Sequence, residues 1–318
     1  MGKRGIGVDV GGTEVKFGLF SGEGELLRRW EIPTDRTDNC ANVIRGIAES
    51  IRREMAADGL SLTDLAGIGM AVPGPVQPDG FVEVCVNLHW KKRYPARELS
   101  GLLDGVRVEI GNDANAAALG EAWKGGGAGV QDAVLFTLGT GVGGGVILGG
   151  KILNGHHGIG GEVGHMHVRD GETEVCNCGG RGCLEQVASA TGIVREAKRA
   201  MENSSAPTRM REFGEKITAK DVCDLGRAGD PMADAVMETV ARYLGIAISH
   251  VCVTVDPEVF IIGGGVSRAG SYLIDKIQKY FRQYTTISQN HADVVLATLG
   301  NDAGIYGAVR MVLADGKE

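Results

Sequence analysis

Residues 6–20 read IGVDVGGTEVKFGLF. Ile6, Val8 and Val10 alternate with small or polar residues, a Gly-Gly-Thr turn follows, and Val15, Phe17 and Leu19 alternate again. A period of two on both sides of a glycine turn predicts a β-hairpin and argues against a strand running into a helix. The plan returns at 132–153, DAVLFTLGTGVGGGVILGGKIL, with Gly139, Thr140 and Gly141 at the turn. Two related halves are therefore expected, each carrying such a hairpin.

The remaining chain interleaves helix and strand patterns. Ile44, Ile47, Ala48, Ile51 and Met55 recur at helical spacing, and LAGIGMAVPG (65–74) is a strand broken at Pro73-Gly74. GVRVEIGNDANAAALGEAW (105–123) is a strand running into a helix that starts at Asn112 or Asp113. Asp230-Pro231 opens a helix through Val236, Val240, Tyr243, Ala247 and Val251, VFIIGGGVSRAG (259–270) is a buried strand ending in glycines, and a final helix closes the chain. The class is α/β. With 318 residues, two domains are expected: a smaller one from 1 to about 115, completed by the C-terminal helix near 301–318, and a larger one over 116–300.

Net charge is −7, from 33 Lys and Arg against 40 Asp and Glu, so no broad basic face is offered to nucleic acid or an anionic membrane. The N-terminus lacks the apolar core of a signal peptide, and no other stretch reads as a membrane-spanning run. A cytoplasmic location follows as the expectation, with the seven cysteines reduced rather than paired. The 51 glycines are far above the usual share and are expected at turns where backbone meets a ligand.

Both glycine turns leave backbone N–H groups unshielded, a setting for phosphate. The P-loop pattern is absent. Gly139, Gly141 and Gly144 do match the dinucleotide fingerprint, but Val146, Ile147 and Leu148 continue as strand where that motif needs a helix. Taken alone, each turn is equally well a plain hairpin. Two of them, with a third glycine cluster at 263–265, point to a nucleotide cleft. Asp113 alone reads as a helix cap, and Glu162 and Glu185 alone as solvated charges. Residues 161–185, GEVGHMHVRDGETEVCNCGGRGCLE, put Cys176, Cys178 and Cys183 within eight residues, downstream of His165 and His167. The close pair is C-x-C, so a redox C-x-x-C is absent. On spacing, either histidine completes a set of four ligands for structural Zn²⁺.

These residues resemble a known group. The glycine turns with Asp9 are similar to the actin/hexokinase-like (ribonuclease H-like) fold of sugar kinases, actin and heat-shock ATPases, in which two domains flank a cleft. Gly161-Glu-Val-Gly-His165 followed by Cys176-Asn-Cys-Gly-Gly-Arg-Gly-Cys-Leu-Glu185 matches the signature of the ROK family of repressors and sugar kinases. The resemblance runs from GVDVGGT (7–13) to GNDAG (300–304), and VNLHWK (86–91), GNDAN (111–115), GEAWKG (120–125), SATGIV (189–194) and GGGVSRAG (263–270) resemble its ATP-dependent glucokinases from Gram-positive bacteria.

The resemblance implies the following roles. Asp113 takes the proton from the sugar 6-hydroxyl as it attacks the γ-phosphate of ATP. Asn112, Glu162, His165 and Glu185 contact sugar hydroxyls, with Gly74 and Asn87 in the same pocket. Asp9 holds Mg²⁺. Gly11, Gly12, Thr13, Gly139, Thr140 and Gly141 cradle phosphates, and Gly264 and Gly265 approach the adenosine. His165, not His167, joins the three cysteines on Zn²⁺. The sugar lies in the interdomain cleft, and the enzyme is a homodimer. One departure is that the lysine usual after D-x-G-G-T is replaced by Glu14, with Lys16 on the same strand face. Loss of the clip is expected to disturb the sugar and spare ATP, because the glycine turns lie elsewhere in the chain.

Three functions compete. An ATP:hexose kinase fits every segment, with glucose the expected substrate and N-acetylmannosamine, N-acetylglucosamine, mannose or fructose the alternatives. A sugar-responsive repressor needs a helix-turn-helix before the first strand, where only five residues precede Ile6. A nicotinamide dehydrogenase rests on the G-x-G-x-x-G alone.

Overall fold

The computed structural model describes residues 3–287 and 292–313. The first hairpin is β1 (Arg4–Val10) with β2 (Glu14–Phe20), and β3 (Leu26–Pro33) lies antiparallel on β2. Helix α1 (Val43–Ala57) leads to β4 (Leu65–Val72), parallel to β1. A ribbon of β5 (Val82–Cys85) and β6 (Trp90–Arg93) and helix α2 (Pro95–Leu102) precede β7 (Val108–Asn112), which is parallel to β4 and runs directly into α3 (Asp113–Lys124). The sheet order is β3-β2-β1-β4-β7.

The second sheet repeats this plan. Its meander is β8 (Ala133–Leu138), β9 (Val142–Leu148) and β10 (Lys151–Ile152). Helices α4 (Glu185–Ala188), α5 (Ala190–Glu202), α6 (Ala219–Arg227) and α7 (Pro231–Val255) follow. Strand β11 (Val259–Gly263) pairs parallel with β8, α8 (Ser271–Tyr284) leads to β12 (Asp293–Leu296), parallel to β11, and α9 (Ala303–Leu313) follows. The order is β10-β9-β8-β11-β12, the same as in the first sheet. Because β9 is a strand, the dinucleotide fingerprint at Gly139 has no helix after it and is ruled out.

The chain forms two compact units. The first takes in Met1–Gly129, Gly145–Gly160 and Asn301–Glu318, the second Val130–Gly144 and Gly161–Gly300. A boundary at 115 would cut α3, which stays with the first unit because it meets α9 backbone to backbone: a Cβ on Gly307 would lie 1.6 Å from the Ala116 carbonyl oxygen. Of the C-terminal helix expected over 301–318, residues 314–318 lie outside the described chain.

Period-two alternation decides the faces of the first sheet. Ile6, Val8 and Val10 of β1 and Ile68, Met70 and Val72 of β4 are buried in one core with Ile44, Ile47 and Ile51 of α1. The opposite face of the two strands carries Gly5, Gly7, Gly67 and Gly69, and α9 rests on it. A Cβ would fall 2.0 Å from the Ile305 oxygen at Gly7 and 1.6 Å from the Ala308 oxygen at Gly69. Several glycines expected at turns are thus packing positions, where the missing side chain lets a helix backbone touch a sheet.

Helix α7 corrects the expectation that no stretch is of membrane-spanning length. Within its 25 residues an 18-residue window has a mean hydropathy of 1.3, enough by length and composition, but 61% of that window is buried inside the protein. It is a core helix of the second unit, with Val240, Leu244, Ala247 and Ile248 buried.

Gly69→Ala is expected to lower stability in urea melts by about 3 kcal/mol or more, since backbone on both sides forbids relief. Gly101→Ala in α2, where a Cβ meets nothing within 4 Å, should instead raise it by about 0.5–1 kcal/mol. Equal effects at the two positions would contradict the packing account.

Candidate active site and metal clip

In the first unit the candidate residues gather at the carboxyl ends of parallel strands, where α/β sheets carry their ligands. Asp9 is near the end of β1, Gly74 follows β4, and Asn112 and Asp113 join β7 to α3. The helix cap is Asn112: its Oδ1 accepts from Ala114 N at 2.9 Å and Asn115 N at 3.1 Å, while its Nδ2 donates to the Gly74 carbonyl at 3.1 Å. Asp113 is therefore the first helical residue and not the cap, its Oδ1 accepting from Ala114 N at 2.8 Å. The Asn112 amide oxygen is saturated by the cap, so this side chain has a donor left for a ligand but not the donor and acceptor pair expected from its residue type.

Asp9 faces α9, and its carboxylate occupies the space that Gly304 leaves, where a Cβ would lie 2.6 Å from Oδ2. Burial, then the neighbouring Asp113 carboxylate, push the Asp9 carboxyl up from 3.8 to about 6 against the pull of Lys16. Lys16 stands opposite Asp9 in the β1–β2 ladder and pairs with Glu14 at 3.2 Å. The lysine charge thus reaches this face from position 16. A buried carboxylate beside a second one suits Mg²⁺, which takes one or two carboxylates and keeps its waters.

The first turn closes through Gly11 N to the Glu14 oxygen at 3.0 Å. Thr34, which no pattern in the sequence marked, holds it from outside: its Oγ1 donates to the Gly11 oxygen at 2.7 Å and its N to the Thr13 oxygen at 2.9 Å. Exposed Asn87, in the turn between β5 and β6, lies near this turn, its carbonyl oxygen 3.9 Å from the Cβ position of Gly12.

In the second unit, His165, Cys176, Cys178 and Cys183 have their ligand atoms within 4.8 Å of one another. Cys176 Sγ is 3.7 Å from His165 Nδ1, and Cys178 Sγ is 3.6 Å from Cys183 Sγ. Tetrahedral zinc with ligands at about 2.1–2.3 Å has ligand–ligand edges of about 3.5–3.8 Å, and these two distances match such edges. Burial and hydrogen bonds from the other two thiols push Cys183 up to about 12, so deprotonating three cysteines at this spacing would take a bound cation. His167 is excluded as a ligand because its Nδ1 is 2.8 Å from the Arg181 oxygen and its Nε2 is 3.0 Å from Asp170 Oδ1. His165 Nε2 faces Glu162 at 3.9 Å, too long for a direct bond.

The loop ahead of the cysteines is tied to α5 by ions. Glu172, with a side chain 1% exposed, accepts from Arg199 at 2.8 and 2.9 Å, which holds its carboxyl down at about 2, and Arg169 forks onto Glu196 at 2.8 and 2.7 Å. Glu185 sits two residues beyond Cys183. Its Oε2 accepts from Val142 N at 3.2 Å, and its Oε1 receives the Cys176 thiol at 3.4 Å. The second glycine turn is therefore next to the clip in space, and the expectation that its distance along the chain keeps the two apart is wrong.

Beside this turn is a cavity of about 560 Å³ lined by Thr140, Thr218, Lys220, Cys223, Gly265 and Arg268, among others. Gly265 was expected here. The α6 residues were not, because their spacing reads only as an amphipathic helix. Gly264 stands behind the cavity with φ of 82° and its Cβ position 2.6 Å from Leu138 backbone, so only glycine fits.

Two sheets of equal order, each with a glycine turn after its first strand, define an actin/hexokinase-like α/β fold. The profile of the ROK family matches residues 5–315, and the chain belongs to that family. A glucokinase of Halalkalibacterium halodurans is 41% identical over 306 residues, spanning 95% of this chain and 92% of that protein. A ROK hexokinase structure from Thermus thermophilus superposes with a TM-score of 0.80 at 31% identity, covering 98% of this chain and 100% of that one. A ROK glucokinase from Streptomyces griseus, solved with glucose and AMPPNP, gives 0.72 at 33% identity over 97% and 98% of the two chains.

The raised Asp9 carboxyl gives a signed expectation. The folded state holds this proton more tightly than the unfolded chain, so stability falls as pH rises from 3.8 to about 6 and stays lower above. In EDTA at pH 7.5, Asp9→Asn should raise stability by up to about 3 kcal/mol, the difference vanishing below about pH 4. A less stable variant at pH 7.5 would contradict this.

Proposed function

We propose that this chain is an ATP-dependent glucokinase that transfers the γ-phosphoryl group of ATP to the 6-hydroxyl of glucose. The observation that carries the reading is the start of α3. With Asn112 taking the cap, Asp113 is left at the helix N-terminus beside Asp9, a carboxylate in position to serve as a base. A sugar hydroxyl is a weak nucleophile, and phosphoryl transfer needs such a base together with charge neutralisation on the phosphates. Asp113 would accept the 6-hydroxyl proton through its carboxylate. Asn112 would donate its remaining N–H to a neighbouring hydroxyl, and Gly74 and Asn87 would complete this side of the pocket.

The amides of the turns at Gly11–Thr13 and Gly139–Gly141 would hold phosphates, with Lys16 adding charge, and Gly264 and Gly265 would border the adenosine. Mg²⁺, held at Asp9, would neutralise phosphate charge. Zn²⁺ on His165 Nδ1, Cys176, Cys178 and Cys183 would be structural, a closed four-ligand set with no position for water. It would fix the ring so that Nε2 donates to a sugar hydroxyl while Glu162 and Glu185 accept. Another hexose in place of glucose is the second reading, because the hydroxyl-binding groups named here do not themselves choose among sugars. A homodimer in the cytoplasm belongs to the same proposal, and light scattering on the purified protein tests the dimer.

Asp113→Asn should lower kcat by about 10²–10⁴-fold with sugar binding retained, and near-normal turnover would remove the assignment. Across a hexose panel with ATP, kcat/KM should favour glucose over N-acetylmannosamine, and the reverse order would select the second reading. Metal analysis should find one zinc per chain, lost in Cys178→Ser together with a lower Tm and a raised sugar KM. A zinc-free parent whose Tm and sugar KM ignore chelators would remove the clip.

A further inference from the structure

We infer that Glu185 and Thr191 are positioning residues for the turn at Gly139–Gly141, so that the metal clip sets the geometry of a nucleotide-phosphate turn as well as a sugar contact. The inference deepens the kinase reading and rests on it for the identity of the ligand.

Three backbone groups fix this turn from outside, and all three partners follow the last cysteine within eight residues. Val142 N, immediately after the turn, donates to Glu185 Oε2 at 3.2 Å. The Gly139 oxygen accepts from Ala190 N at 2.8 Å, and the Thr140 oxygen accepts from the Thr191 hydroxyl at 3.0 Å. Gly141 completes the fit, since a Cβ there would fall 2.2 Å from Glu185 Oε2. The carboxylate thus lies directly against the turn.

The link back to the clip is short and stiff. Gln186 N donates to the Cys183 oxygen at 3.0 Å, and Cys183 N donates to Gln186 Oε1 at 3.2 Å. Ser189 then caps α5 through Gly192 N at 2.9 Å, which places Ala190 and Thr191 in the first helical turn. The second Glu185 oxygen is 3.4 Å from Cys176 Sγ, so one carboxylate touches a clip ligand and the turn together. A charge-assisted bond to a backbone amide is among the stronger hydrogen bonds, and its loss leaves the Val142 N–H unpaired beside the turn.

Hydrogen exchange and nucleotide binding test this without turnover. In sugar-free protein, Glu185→Ala should speed exchange of peptides spanning 137–146 by about tenfold, and Thr191→Val by less, matching the loss of one hydrogen bond. The AMPPNP Kd, read by calorimetry with Mg²⁺, should weaken about tenfold in Glu185→Ala, with Thr191→Ser restoring what Thr191→Val loses. Chelating the zinc should reproduce the exchange change in the parent. Unchanged exchange over 137–146 in both variants overturns the inference, and Thr191→Val, an exposed position, keeps that outcome available if Glu185→Ala fails to fold. Faster exchange in the variants of a parent that itself binds no AMPPNP upholds the positioning and overturns the kinase reading instead.

Discussion

The first unit depends on one contact, the backbone of α9 laid on the glycine face of β1 and β4. Along β1 that face reads Gly5, Gly7, Asp9, so Asp9 is the first long side chain on it, and it emerges where α9 begins. Gly304 gives its carboxylate room at the helix N-terminus, where the positive end of the helix dipole favours an anion. The same close approach, through Gly120 and Gly307, seats α3 and with it Asp113. Two carboxylates are thereby brought together at some cost in stability, visible in the raised Asp9 carboxyl. A carboxyl raised by burial and by a second carboxylate is the kind of group found at functional sites.

The second unit solves the matching problem with different parts. Both glycine turns are held by a threonine hydroxyl on a turn carbonyl and a backbone amide on a second one: Thr34 in the first, Thr191 with Ala190 in the second. In the first case the anchor follows an edge strand. In the second it follows the cluster of His165 and three cysteines, itself tied to α5 through the Arg169, Glu172, Glu196 and Arg199 ions. Equal sheet order explains why the turns match, while the four helices between β10 and β11, where the first sheet has α1 between β3 and β4, explain why their supports do not.

The hairpins were legible because a period of two survives on each side of a glycine turn, and the clip because three cysteines and a histidine at that spacing admit few alternatives. The glycines of β1 and β4 were visible as letters but not as a docking face, since nothing local tells which helix will lie on them. Asn112 and Asp113 are adjacent capping types, and the choice between them shows only in the folded bonds, with Asn112 accepting from Ala114 N and Asn115 N and donating to the Gly74 carbonyl. Helix α7 was legible as a helix, but its membrane-spanning length and apolarity were not, because its apolar run is broken by single polar residues such as Arg242 and His250. The bond from Val142 to Glu185 spans 43 residues and carries no periodic signal at all.

The central claim is a phosphoryl transfer to one particular hydroxyl, and the product tests it most directly. Phosphorus NMR of a reaction containing the protein, Mg²⁺, ATP and glucose should show ADP and glucose 6-phosphate rising together in equal amounts, with neither formed when EDTA replaces Mg²⁺. ADP accompanied by free phosphate alone, or a phosphate on the anomeric hydroxyl, would contradict the account.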